Sequence, residues 1–161
     1  MANRIRNATE RPAEGLRDEP IRGFERSLPM SLLRAREAVM DRFRPVLRSH
    51  GVTEQQWRVL RALSASGPID AGRLAAICCL LPPSLSRIVR DLVGRALIAR
   101  ANSTEDQRVS EISLTEAGRR LIAEVGPKSE REYAEIAALL GEGDLERLYA
   151  LLERVQERLA S

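Results

Sequence analysis

The spacing of hydrophobic residues changes from a helical period to a strand period at one place, near residue 97. Before that point, apolar residues recur three and four positions apart, as on the buried face of a helix. After it, two stretches, 97–101 and 109–114, alternate apolar and polar residues as strands do, and residues 102–107 between them are turn-forming types. The pattern therefore predicts a mainly α fold with a small β-hairpin.

Helix caps and breakers divide the region before the hairpin. Residues 27–50 predict a first helix that ends at Gly51, because a glycine easily adopts the left-handed conformation that ends helices. Thr53 and Gln56 have the spacing of a capping box and open a second helix. The glycine–proline pair at 67–68 ends it.

A short third helix is predicted after Asp70, whose carboxylate can cap it. A tight break at 80–83 follows, and Pro83 is expected to start a fourth helix. A short helix, a tight turn, a second helix and a hairpin make a winged helix-turn-helix. The residues expected to be buried are Leu74, Ala75 and Ile77 in the third helix, with Leu85, Ile88, Val89 and Leu92 in the fourth.

Two further helices complete the chain, and a different kind of segment begins it. Thr115 caps a helix running to about Leu140, and Asp144 is expected to cap the last one. The apolar stripe of that last helix is nearly a heptad seam, more than a lone terminal helix needs. Residues 1–26 mix charges with proline and glycine, which predicts a flexible arm; a DNA-tracking or dimer-wrapping arm is the alternative.

The fourth helix and the hairpin carry the residues expected to contact DNA. Small polar side chains allow close approach to the major groove, and arginines donate to guanine edges or phosphates. At the hairpin tip, the Asp106 carboxylate can hold the Arg108 guanidinium extended toward the minor groove. The predicted DNA-binding residues are Arg73, Pro83, Ser84, Ser86, Arg87, Arg90, Arg100, Asp106 and Arg108. Taken singly, each element could also be an ordinary solvated surface.

Composition narrows the class further. The 161 residues carry a net charge of +3, with one histidine, His50, and two adjacent cysteines, Cys78 and Cys79. No cluster of metal ligands, catalytic triad or glycine-rich phosphate loop is present, which predicts a protein that is not an enzyme and has no cofactor. Without a long apolar run or a signal peptide, no membrane partner and a cytoplasmic location are expected.

The wing motif resembles that of the MarR family of transcriptional regulators. Asp106 and Arg108, then Leu114 and Thr115, then Gly118 match the family signature D-x-R followed by L-T-x-x-G, and the resemblance covers residues 27–160. Segments 27–37, 43–45, 53–58 and 83–85 are similar to the branch containing the homoprotocatechuate (4-hydroxyphenylacetate) degradation operon repressor.

This resemblance implies a homodimer on a palindromic double-stranded DNA operator, with a small aromatic carboxylic acid relieving the binding. It implies one winged helix domain, 27–161, with dimerisation helices at about 27–50 and 116–160 and a DNA-binding lobe at about 53–114. The acid would bind between lobe and dimer region. Arg34, Arg36 and Arg61 could pair with its carboxylate, and Trp57 could contact its ring, although Trp57 could instead be plain core.

The chain departs from the family at one position and leaves two other interpretations open. Family members usually have glycine where the fourth helix turns into the first wing strand, and this chain has Ala96; Gly94 could end that helix earlier. A redox regulator would use Cys78 and Cys79, although core filling is the simpler role for them. An adaptor that lost DNA binding is the other alternative.

Overall fold

The computed structural model describes residues 23–102 and 110–160. The tip of the predicted hairpin, with Asp106 and Arg108, and residues 1–22 of the predicted arm lie outside these ranges. A short 3₁₀ turn, Phe24–Arg26, precedes six helices and three strands in the described residues. They are α1 (Leu28–Ser49), α2 (Glu54–Ser66), β1 (Ile69–Asp70), α3 (Ala71–Ile77), α4 (Pro82–Gly94), β2 (Ile98–Asn102), β3 (Ser110–Leu114), α5 (Glu116–Leu140) and α6 (Glu142–Leu159).

The chain divides into two compact units between Ala35 and Arg36, within α1. The first unit holds the 3₁₀ turn and the first turns of α1. The second unit, from Arg36 onward, holds the sheet, the remaining helices and the hydrophobic core.

The predicted hairpin is confirmed, and it belongs to a three-stranded antiparallel sheet of order β1-β3-β2. Ile98 pairs with Leu114 and Arg100 with Ile112 in the hairpin, and Ile69 pairs with Ile112 on the other side of β3. Strand β1 was not predicted, because two residues are too few to show alternation.

Helices α3 and α4 form the predicted helix-turn-helix. Their axes are bent by 107° at the break, within the range of about 90–120° typical of the motif. The Asp70 carboxylate caps α3, accepting the Arg73 backbone N–H at 2.9 Å. Helix α3 ends in a Schellman turn, in which Leu80 N–H donates to the Ala75 carbonyl at 2.9 Å and Cys79 is left-handed at φ 49°.

Three details of the sequence-based prediction were wrong. Helix α4 starts at Pro82 rather than Pro83, because either proline fits the first turn and only the chain path decides between them. Helix α6 starts after Gly141, so Asp144 lies inside the first turn and pairs with Arg147 instead of capping. Ile77 is 48% exposed, because α3 ends there and the chain turns away.

The hydrophobic core lies where α2, α3, α4 and the sheet meet. Leucine and isoleucine side chains from each element are fully buried there, and Phe43, Leu47 and Val125 extend the core to α1 and α5. The fully buried side chains are Leu47, Val59, Leu60, Leu63, Leu74, Cys78, Val89, Leu92, Ile98, Ile112 and Val125, with Leu85 nearly so. Ile88, expected in the core, is only partly buried and packs against it.

Helix α5 begins directly against the turn between α4 and β2. The Thr115 hydroxyl accepts the Gly118 N–H at 3.1 Å and donates to the Ala96 carbonyl at 2.6 Å. The Thr115 N–H donates to the Leu97 carbonyl at 3.1 Å. A Cβ on Gly118 would lie 2.1 Å from that same carbonyl oxygen, so this close packing needs glycine. These contacts give the L-T-x-x-G part of the wing signature a structural role.

Helix α6 packs against α5 and has no buried residue, although its apolar side chains follow one stripe. Leu148, Leu151 and Leu159 are among the exposed ones. In the described residues no single helix is long and apolar enough to cross a membrane.

The turn after α4 adopts the left-handed conformation at Ala96, with φ 54°, and Leu97 N–H closes it on the Leu92 carbonyl at 3.0 Å. Replacing Ala96 with glycine is expected to raise the free energy of unfolding by about 1 kcal/mol, since glycine has no Cβ penalty there. Gly94→Ala, whose Cβ would meet nothing within 4 Å, should add about 0.5 kcal/mol. Urea denaturation measures both. A loss of stability in Ala96→Gly would contradict the left-handed assignment.

Candidate nucleic-acid interface and ligand cavity

The outer face of α4 presents the residues predicted to read DNA. Pro83, Ser86, Arg87 and Arg90 are exposed and Ser84 is half-buried, while the opposite face of the helix is packed into the core. Within residues 23–102 and 110–160, neither Arg87 nor Arg90 has a hydrogen-bond or ion-pair partner. Both guanidinium groups are therefore available to an external anion or base edge.

The structure brings helix and wing residues to one groove. Ser86 and Arg90 of α4 and Arg100 of β2 line a groove of about 350 Å³ together with Val89 and Val93. Arg73 is exposed at the start of α3.

A second, polar cleft separates the start of α2 from α4 and was not predicted. Ser84 and Arg87 line this cleft of about 390 Å³ with the first turn of α2. The Gln56 side chain completes the predicted capping box with Thr53 and also donates to Asp91 Oδ2 at 2.7 Å. The first turn of α2 is therefore tied to the predicted recognition helix.

The predicted ligand residues Arg36, Trp57 and Arg61 meet at a cavity of about 260 Å³ between α1, α2 and α5. Sequence reasoning missed the aromatic wall formed by Phe43 and Tyr133, whose rings lie 4.8 Å apart. Tyr133 is far from α2 in sequence, so no local pattern could assign it. The lining residues are Arg36, Val39, Met40, Phe43, Glu54, Trp57, Arg58, Arg61 and Tyr133.

The three arginines of this cavity differ in their bonding. Arg36 donates to Glu54 at 2.6 Å and also pairs with Glu37. Arg58 donates to the Cys78 carbonyl at 2.9 Å. Arg61 has no hydrogen-bond or ion-pair partner among the described residues, so it is the guanidinium best placed to meet a ligand carboxylate.

Arg34 lies on α1 in the first unit and is exposed. Its assignment to the ligand stays a prediction.

A network of charges joins α1 to the start of α2. Arg44 pairs with Glu37, Asp41 and Glu54. The hydrogen bonds to these carboxylates, above all those to Glu37 and Glu54, raise the pKa of its guanidinium. Burial acts to raise the pKa of Glu54, but hydrogen bonds from Arg44 and Arg36 outweigh it, so this pKa lies below its usual value. The Glu54 carboxylate is therefore ionised at neutral pH and holds two arginines.

This lowered pKa makes part of the stability pH-dependent. Because the pKa of Glu54 is lower in the folded than in the unfolded chain, its contribution is present above the unfolded value of about 4.3 and is lost as pH falls through the folded value. Urea unfolding between pH 7 and pH 3 should show that Glu54→Gln is less stable than the wild type at pH 7 and that the difference shrinks in acid. Glu153→Gln, on an exposed part of α6, controls for losing one charge. A difference independent of pH would refute this.

The two cysteines have different environments. Cys78 is buried and fills the core as predicted; burial raises the pKa of its thiol, and the charge of Arg58 offsets this only in part. A thiol with a raised pKa is a poor nucleophile. Core filling was wrong for Cys79, which is exposed in the left-handed turn before α4.

His50 directly follows the last residue of α1, Ser49. Its Nδ1 lies 2.8 Å from the Val46 carbonyl oxygen of α1, and its Nε2 lies 2.9 Å from Lys128 Nζ of α5. With Lys128 donating to Nε2, the proton of a neutral ring is on Nδ1.

A helix-turn-helix followed by an antiparallel hairpin, with exposed arginines on the second helix, defines the winged helix class of DNA-binding proteins. The model of the MarR family matches residues 52–110. Over 127 residues, 79% of this chain and 86% of the relative, the sequence is 39% identical to the homoprotocatechuate degradative operon repressor of Escherichia coli. The chain belongs to the MarR family and is a transcriptional regulator.

Two solved structures are similar throughout. NadR in complex with 4-hydroxyphenylacetate matches with a TM-score of 0.73 at 35% identity, covering 84% of this chain and 96% of NadR. The transcriptional repressor CouR bound to a 23-mer DNA duplex matches with a TM-score of 0.74 at 26% identity, covering 81% of this chain and 93% of CouR.

Proposed function

We propose that the protein is a cytoplasmic homodimeric repressor of aromatic catabolism that binds a palindromic operator and is released by a small aromatic carboxylic acid. The observation that carries the proposal is the cavity between α1, α2 and α5, which combines aromatic walls with Arg61, an arginine that has no ion-pair partner within residues 23–102 and 110–160. The domain limits proposed are those of the sequence, with dimerisation helices at about 27–50 and 116–160 and a DNA-binding lobe at about 53–114.

The exposed leucines of α6 support the dimer. A stripe of leucines on an 18-residue helix with no buried residue is best explained by burial against a second copy of the chain. A two-fold dimer presents its two copies of α4 to successive major grooves, so the half-sites should lie about 10 bp apart.

Arg73 and Arg100 would position each lobe on phosphates, and Ser84, Ser86, Arg87 and Arg90 would read bases, with Pro83 at the start of the helix. Asp106 and Arg108 are proposed to reach the minor groove. With about 6–10 phosphates neutralised per dimer, affinity should fall steeply with salt.

The size and chemistry of the cavity support a single-ring acid. Its volume of about 260 Å³ lies just below the usual range of roughly 300–1,000 Å³ for small-molecule sites. Trp57, Phe43 and Tyr133 supply flat apolar walls, and Arg61 supplies a bidentate donor for a carboxylate. NadR, at 35% identity, is described with 4-hydroxyphenylacetate bound.

Two contacts connect the cavity walls to the helix-turn-helix. Arg58 lines the cavity and donates to the Cys78 carbonyl at the end of α3. Glu54 lines the cavity too. Gln56 lies half a turn further along α2, and its side chain donates a hydrogen bond to Asp91 of α4. A ligand that shifts α2 would therefore move α3 and α4, and its effect on DNA binding equals its differential affinity for the two arrangements.

The central experiment is a DNA titration with the promoter region beside the gene, repeated with hydroxylated phenylacetates, benzoates and nicotinates. Salt-sensitive, sequence-specific binding that one acid abolishes is expected. Specific binding that ignores every acid would overturn the ligand proposal, and absence of specific binding would overturn the repressor itself.

Arg61→Gln should weaken the response to the active acid about 10- to 100-fold, as expected for losing hydrogen bonds to a charged group. DNA affinity without acid should stay the same, because Arg61 is not on the α4 face. Arg48→Gln is the matched control, because Arg48 is an exposed arginine of α1 that does not line the cavity. The acid response is measured by fluorescence anisotropy. An unchanged response in Arg61→Gln would mean that a different arginine binds the carboxylate of the acid.

A thiol-based regulator is the second candidate, because Cys79 is exposed in the turn between α3 and α4. Loss of DNA binding on mild peroxide, reversed by a thiol and absent in Cys79→Ser, would support it. Peroxide resistance of the wild type would reject it.

A further inference from the structure

Leu81 lies at the start of α4 and has no evident structural role. It is 74% exposed, the most exposed large hydrophobic residue of the described lobe, where only Ile77 and Val93 are otherwise exposed, at 48% and 40%. It also occupies the N-cap position without making a side-chain cap hydrogen bond. Serine, threonine and aspartate are strongly preferred at that position, because their side chains stabilise the start of the helix and leucine does not. The exposed leucine also buries little apolar surface.

The two residues after Leu81 extend the apolar surface. Pro82 and Pro83 occupy the first two positions of α4, and both are exposed. Neither has a backbone N–H, so two of the four amides that a helix normally offers at its start are missing. The start of α4 is therefore poorly suited to binding phosphate through backbone amides, and it presents the tip formed by Leu81, Pro82 and Pro83.

Two exposed arginines flank this tip along the chain. Arg73 precedes it on α3 and Arg87 follows it on α4, both exposed, and the axes of the two helices are bent by 107° at the break between them. An apolar tip with exposed arginines before and after it in the chain suits a negatively charged partner that also presents an apolar group. The thymine C5-methyl is that group in the major groove of DNA.

We propose that Leu81 contacts the 5-methyl group of a thymine in each operator half-site and so contributes to sequence specificity. The inference rests on the proposed function, since it requires the first residues of α4 to enter the major groove. Pro82 and Pro83 shape the surface around Leu81, and Arg87 and Arg90 contact the neighbouring bases.

The test replaces each thymine of the half-site in turn with deoxyuridine, which lacks only the methyl group and keeps every hydrogen bond. Fluorescence anisotropy should find one position where the change weakens wild-type binding about fourfold per half-site, as expected for burying one methyl group. Changing both half-sites should weaken it about fifteenfold. Leu81→Ala should bind thymine and deoxyuridine operators equally.

Two further variants separate base reading from a structural role. Leu81→Ser supplies a helix cap, so its Tm should rise while its discrimination between thymine and deoxyuridine disappears. Val93→Ala shortens another exposed apolar side chain of α4 and should keep the discrimination.

The outcomes distinguish this inference from the proposed function. Specific operator binding that no deoxyuridine substitution weakens would overturn the role of Leu81 and leave the repressor intact. Discrimination that persists in Leu81→Ala would assign the methyl contact to a different side chain, which also overturns it. Absence of any specific binding would overturn both proposals.

Discussion

Replacing Gly118 with alanine is expected to lower the free energy of unfolding by about 3 kcal/mol or more. The new Cβ would lie 2.1 Å from the Leu97 carbonyl oxygen, well inside contact distance, and that oxygen belongs to backbone held by the Thr115 N–H. A rigid backbone neighbour cannot move aside as a flexible side chain can, so the start of α5 must shift. Urea denaturation followed by circular dichroism measures the loss.

Gly143→Ala is the matched control. Gly143 also lies in the first turn of a helix, and a Cβ there would meet nothing within 4 Å. This variant should be neutral or up to about 1 kcal/mol more stable than the wild type. Equal stability of Gly118→Ala and Gly143→Ala would mean that the contact between α5 and the α4–β2 turn is looser than described.

Removing the Arg90 side chain is expected to weaken operator binding by about 30-fold or more. Each bidentate arginine–guanine pair is worth about 1–3 kcal/mol, and the proposed dimer would lose two of them in Arg90→Ala. Arg90 is exposed, has no ion-pair partner among the described residues, and shares a groove with Ser86 and Arg100. Anisotropy titrations with operator and unrelated DNA measure the specific and non-specific affinities separately.

Arg90→Lys distinguishes base reading from phosphate binding at the same position. Lysine keeps the positive charge but lacks the planar fork, so a base-reading role predicts lost specificity with a nearly unchanged salt dependence. If Arg90→Lys binds the operator as the wild type does, then Arg90 contacts phosphate and the specificity comes from elsewhere on α4.

Local sequence patterns predicted most of the fold because its signals are local. The Thr53–Gln56 capping box, the Asp70 cap and the change of period near residue 97 each act within a few residues. The helical spacing of apolar residues likewise predicted which residues of α4 lie on its exposed face. It did not find β1, whose two residues are held by pairing with β3 across more than forty positions of sequence.

The cavity proposed for the ligand was predicted only in part, because its lining depends on tertiary contacts. Arg36 and Arg61 have the same side chain, and only the structure shows that Glu54 pairs with Arg36, whereas Arg61 has no ion-pair partner in the described part of the chain. Tyr133 joins the cavity from α5, about seventy residues after Arg61 of α2. The sequence showed Ala96 only as a departure from the family's usual glycine, and the structure shows that the turn is left-handed there, with φ 54°.

The contact between Lys128 and His50 has a practical consequence for measuring motion. Lys128 is the only lysine among 26 basic side chains of the chain, and its amine bonds His50 across α1 and α5. An amine-selective reagent therefore has one side-chain target, apart from the terminal amine, and it lies at a junction of two helices that also wall the ligand cavity. The labelling rate of this single amine becomes a direct report of whether α1 and α5 separate when a ligand binds.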